Sequence, residues 1–354
     1  DDDGNVANFV ETEVILNIYG KIVCSYSEIR GSIPVFWEQD ASQLTLGTPK
    51  VQITRSKEAT NPIFAKHFDN LIDKYGAIHV VNLLSRKASE RELSDRYKSH
   101  ILDYQKASHH ENNPLLTEFD FHLQTKGGNY AAAKNILRYL NESIEDFEYF
   151  SYDYSQKLVL TKQTGIFRTN CLDCLDRTNV IQTITSLSIF KLIFADFNLS
   201  DTSSSQDLNM THDMLWADNG DQISQIYTGT NALKSSFSRN GGKMTLGLFL
   251  SDATKSGTRM YQNNFVDQKK QVTIDTMLGR LPGTASSPVI LYDPVNERVE
   301  KSLKKFESKY ASELVKSMFI GTFNLNGHNF TNQNRNDLES LISWLVPDKN
   351  YFYS

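Results

Sequence analysis

The sequence predicts an α/β fold, on three observations. Strand-like and helix-like stretches alternate along the chain, as they do in layered α/β domains. Ala77 to Leu84 is a continuous apolar run, the pattern of a strand buried on both faces of a parallel sheet. The polar stretch Arg168-Thr-Asn-Cys171-Leu-Asp-Cys174-Leu-Asp-Arg177-Thr178-Asn179 stands between two structured signals. Before it lies the strand-like apolar run Leu158-Val159-Leu160 with Thr161, and after it a long apolar helix pattern beginning near Val180.

Phe9 to Leu16 and Lys21 to Arg30 read as two strands around Asn17-Ile-Tyr-Gly20, with Ile22, Cys24, Tyr26 and Glu28 on one side of the second. Pro34-Val-Phe-Trp37 reads as core, because aromatics anchor cores. Arg30, just before Gly31, is either a functional residue or half of a surface ion pair. Asn61-Pro62 looks like a helix start, with a stop at Gly76 after Tyr75. Ser89 to Gln105 is a charged amphipathic helix. Glu118 to Leu123 returns to strand, and Ala131 to Leu140 to helix after Gly127-Gly128. Val180 to Phe194 is nearly all apolar and should lie buried behind the polar stretch. Phe197 to Thr211 is Ser- and Asp-rich and reads as a surface loop. Asp218-Asn-Gly-Asp221 carries a turn signal, its carboxylates either solvated or binding a cation. Pro282-Gly283 and Ala285-Ser-Ser-Pro288 mark a linker, and Asn296 to Lys316 a charged helical connector. The expected plan is a catalytic unit over 1–290, a connector over 291–317 and a short terminal segment over 318–354.

At 354 residues the chain can bury a full core. Its hydrophobic share of 39% and charged share of 22% place it in the globular class. The net charge of −5 argues against a general nucleic-acid binder, so an anionic partner must meet a local basic site. No apolar run reads as long enough for a membrane span. Three cysteines point to a reducing compartment and free thiols. The chain opens on Asp1-Asp2-Asp3 without a methionine or signal peptide, and is expected to be a piece of a longer protein.

A strand, a tight polar loop and a helix start form an anion-holding apparatus. The first helical N–H groups lack intrahelical partners, the macrodipole adds positive charge, and loop amides can converge as a nest. A thiol at the head of such a loop, here Cys171, should ionise well below its free pKa and act as a nucleophile. Arg177, five intervening residues on, can face the same ligand with a fork suited to two phosphate oxygens. Thr178 can donate a hydroxyl hydrogen bond to the sulfur or to a phosphate oxygen. This is the pattern of a cysteine-dependent phosphatase loop between a strand and a helix. Two rivals stay open: Cys171-x-x-Cys174 as a thioredoxin-type redox pair, and both thiols as small buried hydrophobes. Three cysteines cannot complete a four-thiolate zinc site.

The same stretch resembles the signature loop of the Sac family of phosphoinositide phosphatases, including the second cysteine and both aspartates. Arg30-Gly-Ser-Ile-Pro-Val-Phe-Trp37, Phe119-Asp-Phe-His122, Leu215-Trp-Ala-Asp-Asn-Gly-Asp221, Tyr227-Thr-Gly-Thr-Asn-Ala-Leu-Lys234 and Arg259-Met-Tyr-Gln-Asn-Asn-Phe265 are also similar to Sac segments. The resemblance runs from Phe9 to about Gln271. Phe319-Ile-Gly-Thr-Phe-Asn-Leu-Asn-Gly327 resembles the opening strand of an inositol polyphosphate 5-phosphatase domain. A Sac unit followed by that strand is the layout of the synaptojanin group, fungal type. The resemblance implies a Sac catalytic domain lacking its amino-terminal subdomain, with apolar surface exposed where that part would pack. Asn324 matches a residue near the 5-phosphatase metal, but the later motifs of that activity are not in this chain.

The chemistry expected from the loop and the resemblance together is phosphomonoester hydrolysis through a phosphocysteine, with Cys171, Arg177 and Asp173 catalytic. Asn170, Leu172, Cys174, Leu175, Asp176, Thr178, Arg168 and Lys126 are expected to line the substrate, with no metal or other cofactor. Asp173 is the favoured acid and Asp176 the structural one; Cys174 is a packed hydrophobe or a trap for oxidised Cys171. Arg259 and Asn264 enter only through the resemblance. Lys126, Lys162, Arg168, Arg239 and Lys243 are placed near the mouth, toward an anionic leaflet. His122 reads as a satisfied core histidine. The expected partners are phosphatidylinositol phosphates in anionic membrane surfaces, and the expected place is cytoplasmic and peripheral to a membrane. The alternative is a catalytically silent Sac module that binds lipid or serves as a scaffold.

Overall fold

The computed structural model describes residues 1–39, 51–107, 113–126, 129–199, 206–229, 232 and 294–310. By its internal contacts the chain divides into two units, Asp1–Arg280 and Leu281–Ser354. In the second, the described residues form a helix over Pro294–Lys305 and a short one over Glu307–Tyr310.

Among the described residues, the first unit is built on one mixed sheet of seven strands: β1 (Val10–Ile18), β2 (Ile22–Arg30), β5 (Ala77–Asn82), β6 (Leu115–Glu118), β7 (Phe150–Asp153), β8 (Leu158–Thr161) and β9 (Gly165–Asn170). The order is β6-β5-β9-β2-β7-β8, with β1 hairpinned onto β2. A two-stranded ribbon, β3 (Trp37–Gln39) with β4 (Val51–Ile53), stands apart. β6, β5, β9 and the end of β2 run parallel, so their carboxyl ends gather on one edge. In open α/β sheets that edge is where ligands bind.

The alternation of side chains across a strand divides the core in two. Ile29, Ile78, Val80 and Ile166 face helices α1 (Lys57–Tyr75) and α2 (Ala88–Ala107), meeting Phe64, Phe68, Leu93 and Tyr97. Tyr26, Val81 and Phe167 face the other way, toward α4 (Leu137–Phe147) and α5 (Asp176–Asp196). Helix α5 is by length and composition apolar enough to cross a bilayer, contrary to the reading of the sequence, but it lies packed against this core.

Several elements depart from expectation. Helix α1 starts one turn early, because Ser56 Oγ accepts the Ala59 N–H as its cap, leaving Pro62 inside the helix. It ends at Gly76, whose φ of +79° lets the chain turn where a Cβ would meet the Thr164 carbonyl. The strand read over Glu118 to Leu123 is shorter, since Asp120 caps a helical turn, α3 (Phe121–Gln124). Ala131 to Leu140 falls into a 3-10 stretch over Tyr130–Ile136 that leads into α4. Residues 206–211, read as loop, open a helix, α6 (Gln206–Thr228). The Asn219-Gly220 turn is mid-helix instead. A Cβ at Gly220 would lie 2.7 Å from the Asn179 amide of α5, so this glycine serves a close helix approach. Of Pro34-Val-Phe-Trp37 only Pro34 is fully buried; the other three side chains are half-buried along a cavity of about 400 Å³.

Candidate active site

The strand in front of the polar loop is β9, and the apolar run Leu158–Thr161 is an edge strand further out in the sheet. Residues 171–175 turn between β9 and α5 at the carboxyl edge of the parallel strands. Cys174 adopts φ +57° in this turn, which swings its N–H onto Cys171 Sγ at 3.1 Å. Thr178 Oγ1 donates to the same sulfur at 3.3 Å, and the thiol itself donates to Asp173 Oδ1 at 3.2 Å. Asp173 is held in place from both ends: its Oδ1 accepts the Leu175 N–H, and its carbonyl accepts from Asn8 Nδ2. Helix α5 opens at Leu175 without a side-chain cap, so its first turn presents N–H groups to the loop. Asp176 sits half-buried in that first turn, where the dipole favours a negative charge.

The expectation of a readily ionised Cys171 is overturned. The residue is 1% exposed, and burial together with the adjoining Cys174 and Asp173 pushes its thiol well up. The Arg177 guanidinium acts the other way but does not prevail. Cys171 and Cys174 are both free, buried thiols. The Arg177 fork meets a partner absent from the sequence reading: Nη2 donates to Glu90 Oε1 at 3.0 Å and Nη1 to Glu90 Oε2 at 3.1 Å. Burial would lower the Arg177 pKa, but the ion pair and hydrogen bonds with Glu90 outweigh it and hold the group cationic.

Arg168 does not reach the mouth or a leaflet. It is fully buried on the α1–α2 face, with Nη2 on the Ser32 carbonyl (2.6 Å), Nη1 on Tyr97 OH (3.1 Å) and Nε on His67 Nε2 (3.2 Å). The ladder pairs Ile29 with Arg168, so Arg30, one residue on, points to the opposite face. Its Nη2 donates to Asn179 Oδ1 at 3.0 Å and its Nη1 approaches the Cys174 carbonyl at 3.5 Å. Arg30 thus approaches the loop from the face opposite the buried Arg168 guanidinium, and it is no surface ion pair. Asn170 is also turned inward, donating to Asn82 Oδ1 at 2.9 Å, so it ties β9 to β5 beneath the loop. Leu172 packs on the core beside the cavity, and Leu175 is buried.

Lys126 is exposed just past α3. Lys162 is exposed too, but it precedes β9, and a six-residue strand of about 20 Å separates it from the loop. It belongs to the other end of the sheet. His122 is exposed on α3 and is no core histidine, because the Asp120 cap turns Phe121 inward and leaves the next residue out. Asp218 and Asp221 lie on α6, where Asp221 is buried and accepts the Ala232 N–H. Among the described residues no cluster of three or more His, Cys, Asp or Glu side chains could hold a metal. Arg239, Lys243, Arg259, Asn264, Asn324, the linker at 279–288 and the segment 318–354 lie outside the described residues.

Glu90, Asn82, His67 and Tyr97 were missed. Nothing local distinguishes Glu90 from the other acids of the charged helix α2, and only the fold brings it to Arg177.

With this geometry in place, comparison with known proteins defines the class. Residues 1–126 match the SacI homology domain. More particularly, the chain is synaptojanin-like over nearly its whole length. It is 52% identical over 351 residues to a polyphosphatidylinositol phosphatase of Saccharomyces cerevisiae, covering 98% of this chain and 30% of that protein. It is 44% identical over 350 residues to an inositol-1,4,5-trisphosphate 5-phosphatase of Schizosaccharomyces pombe, with the same two coverages. It is 35% identical over 366 residues to synaptojanin-1 of Mus musculus, covering 98% of this chain and 22% of that protein. The chain therefore spans less than a third of the length of these relatives.

Proposed function

We propose that this chain is a phosphoinositide phosphatase that hydrolyses phosphomonoesters of phosphatidylinositol phosphates through a phosphocysteine. The observation that carries the reading is the Cys171 thiol donating to Asp173 Oδ1 while Cys174 N–H and Thr178 OH point at its sulfur. A buried thiol that is hard to ionise needs a base beside it, and Asp173 is placed as one. As Sγ attacks phosphorus in line, the S–P bond forms and the P–O bond to the inositol ring breaks. The thiol proton passes to Asp173 and from there to the departing ring oxygen. Arg177 and the opening turn of α5 carry the charge on the equatorial oxygens. Water then attacks the phosphocysteine, its proton returns through Asp173, the S–P bond breaks and inorganic phosphate leaves.

Relatives named as a polyphosphatidylinositol phosphatase and a phosphatidylinositide phosphatase support phosphoinositides as the substrate class. On this reading the protein works at an anionic membrane surface as a peripheral, cytoplasmic enzyme. The Sac unit would be followed by a connector and, from residue 318, the start of a 5-phosphatase domain, so that a longer parent protein carries both activities. The deep burial of Cys171 favours a second reading, a silent Sac module that holds lipid without turnover. The test is phosphate release from vesicles of phosphatidylinositol 4-phosphate, comparing wild type with Cys171→Ser. The phosphatase reading expects release from the wild type alone. Equal release by both would remove the covalent mechanism, and vesicle binding with no release would favour the silent module.

A further inference from the structure

We infer that Glu90 is a positioning residue, orienting the Arg177 guanidinium toward the reacting phosphoryl group without touching the substrate itself. The inference rests on the phosphatase reading above. A guanidinium has five N–H donors in one plane. Glu90 takes one from Nη1 and one from Nη2, and the Leu83 carbonyl approaches a second on Nη1 at 3.5 Å. The outer edge of the fork is thereby filled. The Nε–H and the remaining Nη2–H form the other edge, which among the described residues bonds nothing. That edge has the spacing to take two phosphoryl oxygens at once.

The grip on Arg177 comes from outside the signature loop. Glu90 is buried, and its Oε2 also accepts the Ser85 N–H at 2.6 Å. Burial would raise its carboxyl, but the Arg177 fork and Ser85 outweigh that and keep it an anion. Leu83, Ser85 and Glu90 all belong to the stretch from the end of β5 into α2, so the loop and its arginine are set by different parts of the sheet edge. A buried ion pair is a poor stabiliser once desolvation is counted, and a carboxylate beside a phosphate site repels the ligand. The arrangement makes sense if the carboxylate fixes the plane of the guanidinium. A flexible arginine would have to be ordered in each turnover; one already held on its outer edge does not.

The test uses the full chain and vesicles of phosphatidylcholine with phosphatidylinositol 4-phosphate, with orthovanadate as the probe of a trigonal-bipyramidal phosphoryl group. Glu90→Gln should lower kcat about 10–100-fold with KM within about twofold, since misplacing a catalytic group by about 1 Å costs on the order of 10²-fold. The vanadate inhibition constant should rise by the factor that kcat/KM falls, and Glu90→Asp should recover part of both. In an Arg177→Lys background Glu90→Gln should cost less than about threefold, because residues that act through one another are not additive. If Glu90→Gln fails to fold, Glu90→Asp is judged by the same readouts. Wild-type kcat and vanadate inhibition in the variant, or an undiminished loss in the Arg177→Lys background, would overturn the positioning role alone. Wild-type release no greater than that of Cys171→Ser would overturn the phosphatase reading, and this inference with it.

Discussion

Arg168→Ala should destabilise the protein strongly, although the residue stands in the signature stretch and looks like a ligand for phosphate. The structure gives the magnitude. The guanidinium is fully buried and donates to Ser32 O, Tyr97 OH and His67 Nε2. Truncation strands those acceptors, at about 1–3 kcal/mol for each buried group left unsatisfied. It also empties the volume of a long side chain, while relieving the burial cost of a charge, which offsets part of the loss. A net loss of about 3–5 kcal/mol is expected. At about 2–4 °C per kcal/mol for a domain of this size, Tm should fall by roughly 6–20 °C. Arg168→Lys keeps the charge but cannot send three donors in three directions, so its Tm should fall between the two. Thermal unfolding by circular dichroism measures both. A Tm within about 2 °C of wild type for Arg168→Ala, with weakened binding to anionic vesicles, would refute the buried placement and return Arg168 to the mouth.

Stability should fall as the solution is acidified from about pH 6.5 toward 4. Burial and the Arg168 charge push His67 down to about 3, and burial pushes His79 and His100 down to about 4. Their folded pKa values lie below the unfolded value near 6.5, so the unfolded chain binds more protons in that window and stability is full only above it. Each group adds about 1.4 kcal/mol per pH unit to the slope, and His67→Gln should flatten urea-unfolding free energies against pH by about one proton. An unchanged slope would show that His67 is not the neutral acceptor of the Arg168 Nε–H. Gly220→Ala should destabilise by about 1–2 kcal/mol despite the helix preference of alanine, because overpacking outweighs a propensity gain of about 1 kcal/mol. The Asn179 amide that the new Cβ would strike is pinned by Arg30 and the Trp216 carbonyl. A raised Tm would show that the contact between α5 and α6 yields freely.

What could be read from the sequence was local. The alternation in β2 placed Cys24, Tyr26 and Glu28 on one side, and β5 announced itself as a buried parallel strand, because apolar periodicity is visible without knowledge of neighbours. β9 was missed for the opposite reason. Gly165–Asn170 carries Arg168 and Asn170 in the middle of a sheet, and their burial is tolerable only because His67, Tyr97 and Asn82 meet them from elsewhere. The more strand-like Leu158–Thr161 took its place in the reading, though it is an edge strand with exposed side chains. Asn219-Gly220 misled in the same way: a glycine required by a neighbouring helix looks, in one dimension, like a glycine required by a turn.

The same distinction explains why spacing revealed Arg177 but not the other guanidinium groups. Cys171 heads the loop and Arg177 stands in the helix turn that follows it, so five intervening residues already place them together. Arg30 reaches the loop, and Arg168 its buried site, through strand register, on adjacent strands and opposite faces. Their neighbourhood depends on β2 lying parallel to β9, which pairs Ile29 with Arg168 and Arg30 with Thr169 across about half the length of the Asp1–Arg280 unit. With a net charge of −5 the chain is no general polycation. Topology nevertheless brings three arginines to this part of the sheet, with Arg30 behind Cys174, Arg168 buried on the opposite face and Arg177 fixed by Glu90 in front. If the loop binds an anion as proposed, an acidic protein needs cations set around it in this way, since neither the helix dipole nor one arginine would balance the carboxylates of Asp173, Asp176 and Glu90.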